Sequence, residues 1–183
     1  MPRKRSTNAR WAVPLLFAVA LSMALPSHRG GAQIPPTETL TFSSIADTYV
    51  ESSQANQNFN GDTRLRADAD PVRIIFLRFA VSGVGGRQIE SARLRLQVAG
   101  PSDATGGTIH RISNNTWNES TVTYNTRPAV DGPGLQSLGP VEDGEIVEFI
   151  VDDEITGDGV YNFAIDTPST DSVSYVSAAA ASG

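Results

Sequence analysis

The 183-residue chain has no cysteine, two histidines, two methionines and a single lysine, Lys4. Without cysteine there is no disulfide framework, no CxxC zinc site, no thiol nucleophile and no lipid-modified cysteine. Charge is sparse as well, at 19% of residues, whereas 39% are hydrophobic. That balance excludes a disordered chain, because enough apolar surface exists to offset the entropy of ordering, and the length points to one domain. A sustained 3.6-residue apolar period is missing throughout, so no long amphipathic helix is expected. Long apolar runs are limited to one, Trp11–Leu25, broken only by Ser22 and carrying Pro14.

That run follows Arg3, Lys4, Arg5 and Arg10, with no acid among them, and precedes Pro26 and the small-residue stretch Gly30-Gly31-Ala32. A positive start, an apolar middle and a small-residue exit predict a secretory signal peptide over residues 1–32, cleaved after Ala32. An uncleaved anchor would need about 20 apolar residues, more than this run supplies. The expected location is therefore extracellular, with no membrane span after cleavage. The leader removes five cations and no acids, leaving nine cations, all arginine, against 20 acids, a net charge of −11. So acidic a surface argues against nucleic acid, which demands a basic face, and leaves local basic patches and bound Ca²⁺ open.

Residues 33–45 read as a proline-bearing leader and a first strand. Short β-rich runs then alternate with Gly, Pro, Asn and Asp clusters about every ten residues, which predicts an all-β chain folded as an antiparallel β-sandwich, jelly-roll-like. The candidate strands are Thr39–Phe42, Thr48–Glu51, Thr63–Ala67, Arg73–Val81, Ala92–Val98, Thr108–Ile112, Thr121–Asn125, Ile146–Val151, Val160–Asp166 and Ser172–Ser177. Asp152–Thr156 is read as one helical turn. In Ala92–Val98 the apolar Leu94, Leu96 and Val98 alternate with Arg93, Arg95 and Gln97, giving one core face and one wet face. Ile74-Ile75-Phe76-Leu77 is apolar on both faces, as in a central strand covered on both sides.

Residues able to carry chemistry are few. His110 is the one histidine beyond the leader and lacks a Gly-x-Ser-x-Gly or similar context, so it reads as a strand histidine with no special role. The acids Glu142, Asp143 and Glu145, and Asp152, Asp153 and Glu154, could supply a glycosidase-like pair about 5–9.5 Å apart, but as loop runs they read as solvated surface. Asn56-Gln57-Asn58-Phe59-Asn60-Gly61-Asp62 imitates the first half of an Asp-x-Asn-x-Asn-Gly calcium loop, yet starts on a neutral residue and has Ala67 at the twelfth position. It reads as a turn. A structural Ca²⁺ held by Asp47, Asn60 and Asp62 is the candidate metal site. Arg64, Arg66, Arg93 and Arg95 sit at i, i+2 positions on two strands and, if on one sheet face, would form a patch suited to carboxylates or sulfates; alternating arginines also serve simply to keep a sheet soluble. Trp117, Tyr124 and Tyr49 are candidate sugar-stacking rings, with a core role the alternative for Trp117. Asn114-Asn115-Thr116 and Asn118-Glu119-Ser120 are formal glycosylation sequons that read as turn chemistry.

Several segments together resemble a known family. They are Ala46-Asp47-Thr48-Tyr49-Val50; Asn58-Phe59-Asn60-Gly61 leading to Leu65-Arg66; Leu77-Arg78-Phe79; and Ile89-Glu90-Ser91-Ala92-Arg93-Leu94-Arg95-Leu96. Trp117 to Asn125 (WNESTVTYN) with Pro128, and Gly159-Val160-Tyr161-Asn162-Phe163-Ala164-Ile165, complete the set. In this order the chain resembles the secreted bacterial DNRLRE-type domain, carbohydrate-binding module family 96. The resemblance implies a β-sandwich over residues 46–183 that binds polysaccharide, alginate-type acidic polymers in particular, without cleaving it. The family continues past Tyr175-Val176-Ser177 with a further strand where this chain has an alanine-rich tail, so a C-terminally truncated sandwich with a gap or an unpaired edge is expected. The leading expectation is thus a secreted, non-catalytic module for an anionic polysaccharide, with Arg64, Arg66, Arg93, Arg95 and Trp117 as the contact residues. An extracellular structural or adhesion domain is the first alternative, and a small polysaccharide lyase or hydrolase the second.

Overall fold

The computed structural model describes residues 16–22, 37–100 and 104–181. These form ten strands and three 3-10 turns, with no α-helix among them. The strands are β1 (Leu16–Ser22), β2 (Thr37–Glu51), β3 (Arg64–Ala69), β4 (Val72–Val81), β5 (Gln88–Gln97), β6 (Ala104–Arg111), β7 (Gly134–Val141), β8 (Ile146–Ile150), β9 (Gly159–Asp166) and β10 (Val173–Val176). Every pairing is antiparallel, in the order β7-β6-β9-β4-β2-β1-β5-β8, with β3 added to β4 and β10 to β3. The all-β sandwich read from the sequence is the observed architecture.

One strand serves both layers. The first half of β2 alternates half-buried Leu40 and Phe42 with exposed threonines and pairs with β1, whereas its second half, Ala46 to Glu51, is buried throughout and pairs with β4. Between them the register shifts at Ser44/Ala46, leaving Ile45 as an extra residue, 55% exposed. A bulge of this kind bends and twists a strand, which lets β2 leave the sheet of β1, β5 and β8 and enter the sheet of β4, β9, β6 and β7. The sequence reading had split β2 into two strands; the bulge is the reason.

β4 fulfils the expectation of a strand covered on both faces. Ile75, Leu77 and Phe79 point between the sheets, against Leu94, Leu96 and Phe149 from one sheet and Ile109, Phe163 and Ile165 from the other, all fully buried or nearly so. Ile74 and Phe76 point the opposite way, into a second core with Val50, Ala164, Ile112, Trp117 and Val122. The cover over this second core is a single long segment, residues 112–133, between β6 and β7. A connection this long without strand or helix is uncommon in a compact domain, and here it is secured by packing. Trp117 is 6% exposed, lies 6.0 Å from Phe76 between ring centroids, and donates its indole N–H to Asn162 Oδ1 at 2.9 Å. Arg78 lies over the same indole, 4.5 Å from its centroid, donates Nε–H to Asn162 Oδ1 at 2.8 Å and Nη2–H to the Trp117 carbonyl at 2.6 Å. Gly132 closes the segment where nothing larger fits: a Cβ there would sit 2.0 Å from the Arg111 carbonyl oxygen.

Two elements depart from the sequence reading. Thr121–Asn125 is not a strand. The carbonyl of Asn118 accepts N–H groups from both Thr121 and Val122, and the Asn118 side chain accepts the Ser120 N–H at 2.9 Å, so local turn bonding overrides the β-propensity of the threonines. Conversely β7 was hidden by Gly134, Gly139 and Pro140, which read as turn residues; as an outermost strand pairing only with β6 it tolerates them. The helical turn read at Asp152–Thr156 is the 3-10 turn Asp152–Glu154. The leader reading covers β1, which lies between β2 and β5, where the sheet would otherwise have a gap; the rest of residues 1–32 lies outside the described residues.

Replacing Asn162 with Leu removes the acceptor shared by Trp117 and Arg78, leaving the buried indole N–H and the half-buried Arg78 Nε–H unpaired. The expected loss is about 2–3 kcal/mol in urea unfolding, with the emission of Trp117 shifted to the red in the folded protein; an unchanged midpoint would show that the indole does not depend on this bond.

Candidate functional site

Two loops that are hydrogen-bonded to each other carry polar and aromatic side chains: residues 52–63 between β2 and β3, and the cover segment 112–133. The first is built on an amide-rich turn. Asn58 Oδ1 accepts the Asn60 N–H at 3.0 Å, Asp62 N–H reaches the Phe59 carbonyl at 3.1 Å, and Gly61 takes φ +88°, a conformation glycine adopts without steric cost. Asn58 also ties the loops together. Its Nδ2 donates to the carbonyls of Glu119 at 2.7 Å and Val122 at 2.6 Å. A second tie runs from Asn125, whose N–H bonds the Ala55 carbonyl at 3.1 Å and whose Nδ2 bonds Asn56 Oδ1 at 2.9 Å.

Aromatic rings lie within this frame. Phe59 stacks on Tyr49 with centroids 4.4 Å apart. The Tyr49 hydroxyl donates to Asp62 Oδ2 at 3.2 Å and accepts Arg66 Nη1–H at 2.7 Å, and Arg66 completes an ion pair with Asp62 at 3.3 Å. Burial pushes the Tyr49 phenol up to about 12, against the opposing pull of the Arg66 charge, so the hydroxyl stays protonated at any physiological pH. Tyr124, half-buried over the second core, lies under Arg127, whose guanidinium carbon is 3.7 Å from the ring centroid and which donates to the Tyr124 carbonyl. The strand end that enters this loop is held by Glu51, whose carboxylate accepts from Ser53, from Gln54 at 3.2 Å and from Arg73 at 2.7 Å. Burial pushes the Glu51 carboxyl up, but those donors outweigh it and hold the group below the usual glutamate range.

The four candidate arginines do not form one patch. β3 and β5 are not neighbours: three strands, β4, β2 and β1, separate them in the strand order, and β10, paired with β3, reaches the end of β5 through the bridge from Tyr175 to Val98. Arg93 is paired with Asp152 and Arg95 with its cross-strand neighbour Glu148 at 3.0 Å, so the β5 pair is neutralised in place. Arg64 is exposed and has no carboxylate partner among the described residues, and Arg66 is shared between Asp62 and Tyr49. Trp117, a candidate stacking ring, is a core residue, and Tyr49 is 1% exposed; neither presents a ring face to a ligand.

Two of the candidate calcium ligands, Asp47 and Asp62, are engaged by other groups of the chain. Asp47 Oδ2 accepts the Ala178 N–H at 2.8 Å at the start of the last 3-10 turn, while Asp62 is engaged by Tyr49 and Arg66. Burial raises the Asp47 carboxyl above the usual aspartate range despite bonds from Ala178 and Ser177. No group of three acid or histidine ligands occurs among the described residues. Both ring nitrogens of His110 are occupied, Nδ1 by the Gly132 carbonyl at 3.2 Å and Nε2 by Asp166 at 3.1 Å, and neither faces a hydroxyl. A groove of about 360 Å³ between β7 and β8 is bordered by Glu145 and Glu148 together with Leu138 and Ile146, which gives it the wrong charge for an acidic ligand.

Reasoning from sequence missed Phe59, Asn125 and Arg127 as members of this face. The available signal was the amide-rich run Asn56–Asn60, which reads as a turn and, through Asn60, as part of the candidate metal site.

A small all-β sandwich presenting amides, arginines and half-buried rings on paired loops has the construction of a sugar-binding module. The family comparison agrees: the chain belongs to carbohydrate-binding module family 96, whose model matches residues 38–182. No curated protein matches the chain.

Asn58→Ala cuts both ties to Glu119 and Val122. It should cost about 1–3 kcal/mol and make residues 118–127 the first site of limited proteolysis; an unchanged cleavage pattern would refute the tie. Glu51→Gln tests the loop entry. The Glu51 carboxyl is lowered in the fold, so its stabilisation is present above the unfolded value and is lost as pH falls through the folded one. The variant should be about 1 kcal/mol less stable than the parent at pH 7, and the two melting curves should converge in acid.

Proposed function

We propose that the chain works outside the cell as a non-catalytic module that holds an anionic, uronate-type polysaccharide such as alginate against the loops 52–63 and 112–133. The observation that carries this reading is how the nine arginines beyond the leader are used. Arg66, Arg73, Arg87, Arg93 and Arg95 are ion-paired with acids, while Arg78 and Arg111 lie over aromatic rings of the interior. Arg64 and Arg127 remain, without carboxylate partners among the described residues, and both adjoin the loops that Asn58 and Asn125 fasten together. Guanidinium forks bind carboxylates in bidentate fashion, side-chain amides such as Gln57 and Asn60 bond hydroxyls, and the edges of Phe59 and Tyr124 offer apolar contact to sugar C–H groups.

A binding role without bond cleavage is supported by the engagement of His110 and by acids that are spent on arginines or N–H groups, as Asp152 is on Arg93 and on the Ala92 N–H at 2.6 Å. Export is supported by the basic, apolar and small-residue succession of residues 1–32.

Electrophoresis through gels containing alginate should retard the protein, more at low than at high salt. Arg64→Ala and Arg127→Ala should each weaken retardation about 3–10-fold, the scale of one charge-assisted contact, while Arg95→Ala should leave it unchanged. Free migration of the parent in alginate would overturn the reading in favour of a structural or adhesive module, and equal retardation in a neutral polysaccharide would move the specificity to uncharged sugars.

A further inference from the structure

The first half of β2 and the inner edge of β5 do not touch; β1 stands between them. Leu16 to Ser22 pairs residue by residue with Ser43 to Thr37 on one side and with Arg95 to Gln88 on the other, antiparallel to both and with one irregularity at Ala20/Leu21. Residues Thr37–Ser43 of β2 have no other strand partner among the described residues, since β2 meets β4 from Ser44 onward. Among the described residues the inner edge of β5 is likewise met by β1 alone, its outer edge being taken by β8. Two rows of backbone donors and acceptors therefore depend on one seven-residue strand. The register adds a side-chain rule: position 17 lies opposite Phe42 and Leu94, and position 19 opposite Leu40 and Ala92. Ala92 and Leu94 are fully buried, and Leu40 and Phe42 pack against the main core. Apolar residues are thus called for at alternate positions of whatever strand lies there.

The segment seated in this slot is also the middle of the run that reads as the apolar part of a removable leader. We propose that the slot between β2 and β5 is a strand-acceptor site. Its ligand is an extended apolar polypeptide, running antiparallel to both walls, with large apolar residues opposite Phe42/Leu94 and Leu40/Ala92. Leu16–Ser22 is the resident while the leader is attached. Once residues 1–32 are removed, the slot takes a strand of the same pattern in trans, by β-augmentation. Left empty, it would expose two unpaired edges over the main core, the arrangement that drives strand capture.

The experiment starts from the folded full chain with a specific protease site placed at residues 26–32, so that β1 is severed only after folding. A labelled synthetic peptide of sequence LFAVALS with charged flanks is then added and followed by fluorescence anisotropy, with size exclusion reporting the severed fragment. The expected result is that the fragment co-elutes with the domain until excess peptide displaces it, and that the cut chain captures the peptide at least tenfold more tightly than the uncut chain. The peptide carrying Phe17→Asp and Val19→Asp should not be captured. Loss of the fragment without capture of the peptide, equal binding to uncut chain, equal binding of the aspartate peptide, or pairing of two cut chains in place of capture would each overturn the proposal. Because the chain has no cysteine, a second measurement needs no cutting: Val19→Cys with Ala92→Cys should form a disulfide on oxidation, while the register-shifted pair Val19→Cys with Arg93→Cys should not. Equal yields from the two pairs would show that the segment does not occupy the slot in this register. The mass of the exported protein decides separately whether the leader is removed, so failure of the export reading is distinguishable from failure of the acceptor site.

Discussion

The structure depends on one constraint: β4 is apolar on both faces and must be covered on both. Opposing Ile75, Leu77 and Phe79 is the second sheet, reached because β2 bends at its bulge and crosses between layers. Opposing Ile74 and Phe76 is no sheet but the loop 112–133, lowered onto the outer face by Trp117, Ile112 and Val122. Burial of large side chains of this kind is worth a few kcal/mol each. A loop used as a core cover must also satisfy its polar groups, and the shared acceptor Asn162, bonded to both the indole and Arg78, does so beneath Trp117.

The same constraint positions the face proposed to bind sugar. Because the loop 112–133 is fixed from beneath by the second core, its upper side is fixed as well, and Asn58 and Asn125 transfer that rigidity to the loop 52–63. Phe59 is held by the stack on Tyr49, and Tyr49 is in turn a core residue. The binding surface proposed for these loops would need little ordering on contact with ligand, which preserves affinity when each individual contact is weak. The acidic charge of the domain sharpens the roles of its arginines: five of the nine are paired with neighbouring carboxylates, Arg78 and Arg111 lie over interior rings, and Arg64 and Arg127 adjoin these loops.

Several features were legible residue by residue. The alternation in β5, the two-sided apolar character of β4, the ten-residue spacing of turn signals and the succession of family segments from Ala46 onward are all local patterns, and each survives in the structure. Failures came where context outweighs local preference. Thr121–Asn125 has β-forming residues but is bent by Asn118; Gly134–Val141 has turn residues but is straightened by pairing with β6.

The candidate site shows the same division. The sequence by itself determined the strand count to within one or two, the faces of the best strands, the charge asymmetry between leader and domain, and the family. It could not determine that the arginines at 93 and 95 would meet Asp152 and Glu148, that Trp117 would turn inward onto Asn162, or that residues 16–22 would stand between β2 and β5. Those outcomes are contacts between segments tens of residues apart. Only the tertiary structure decided them, because whether an arginine is free, a ring exposed or a strand edge open depends on what the rest of the chain places beside it, and local periodicity carries no record of that neighbour.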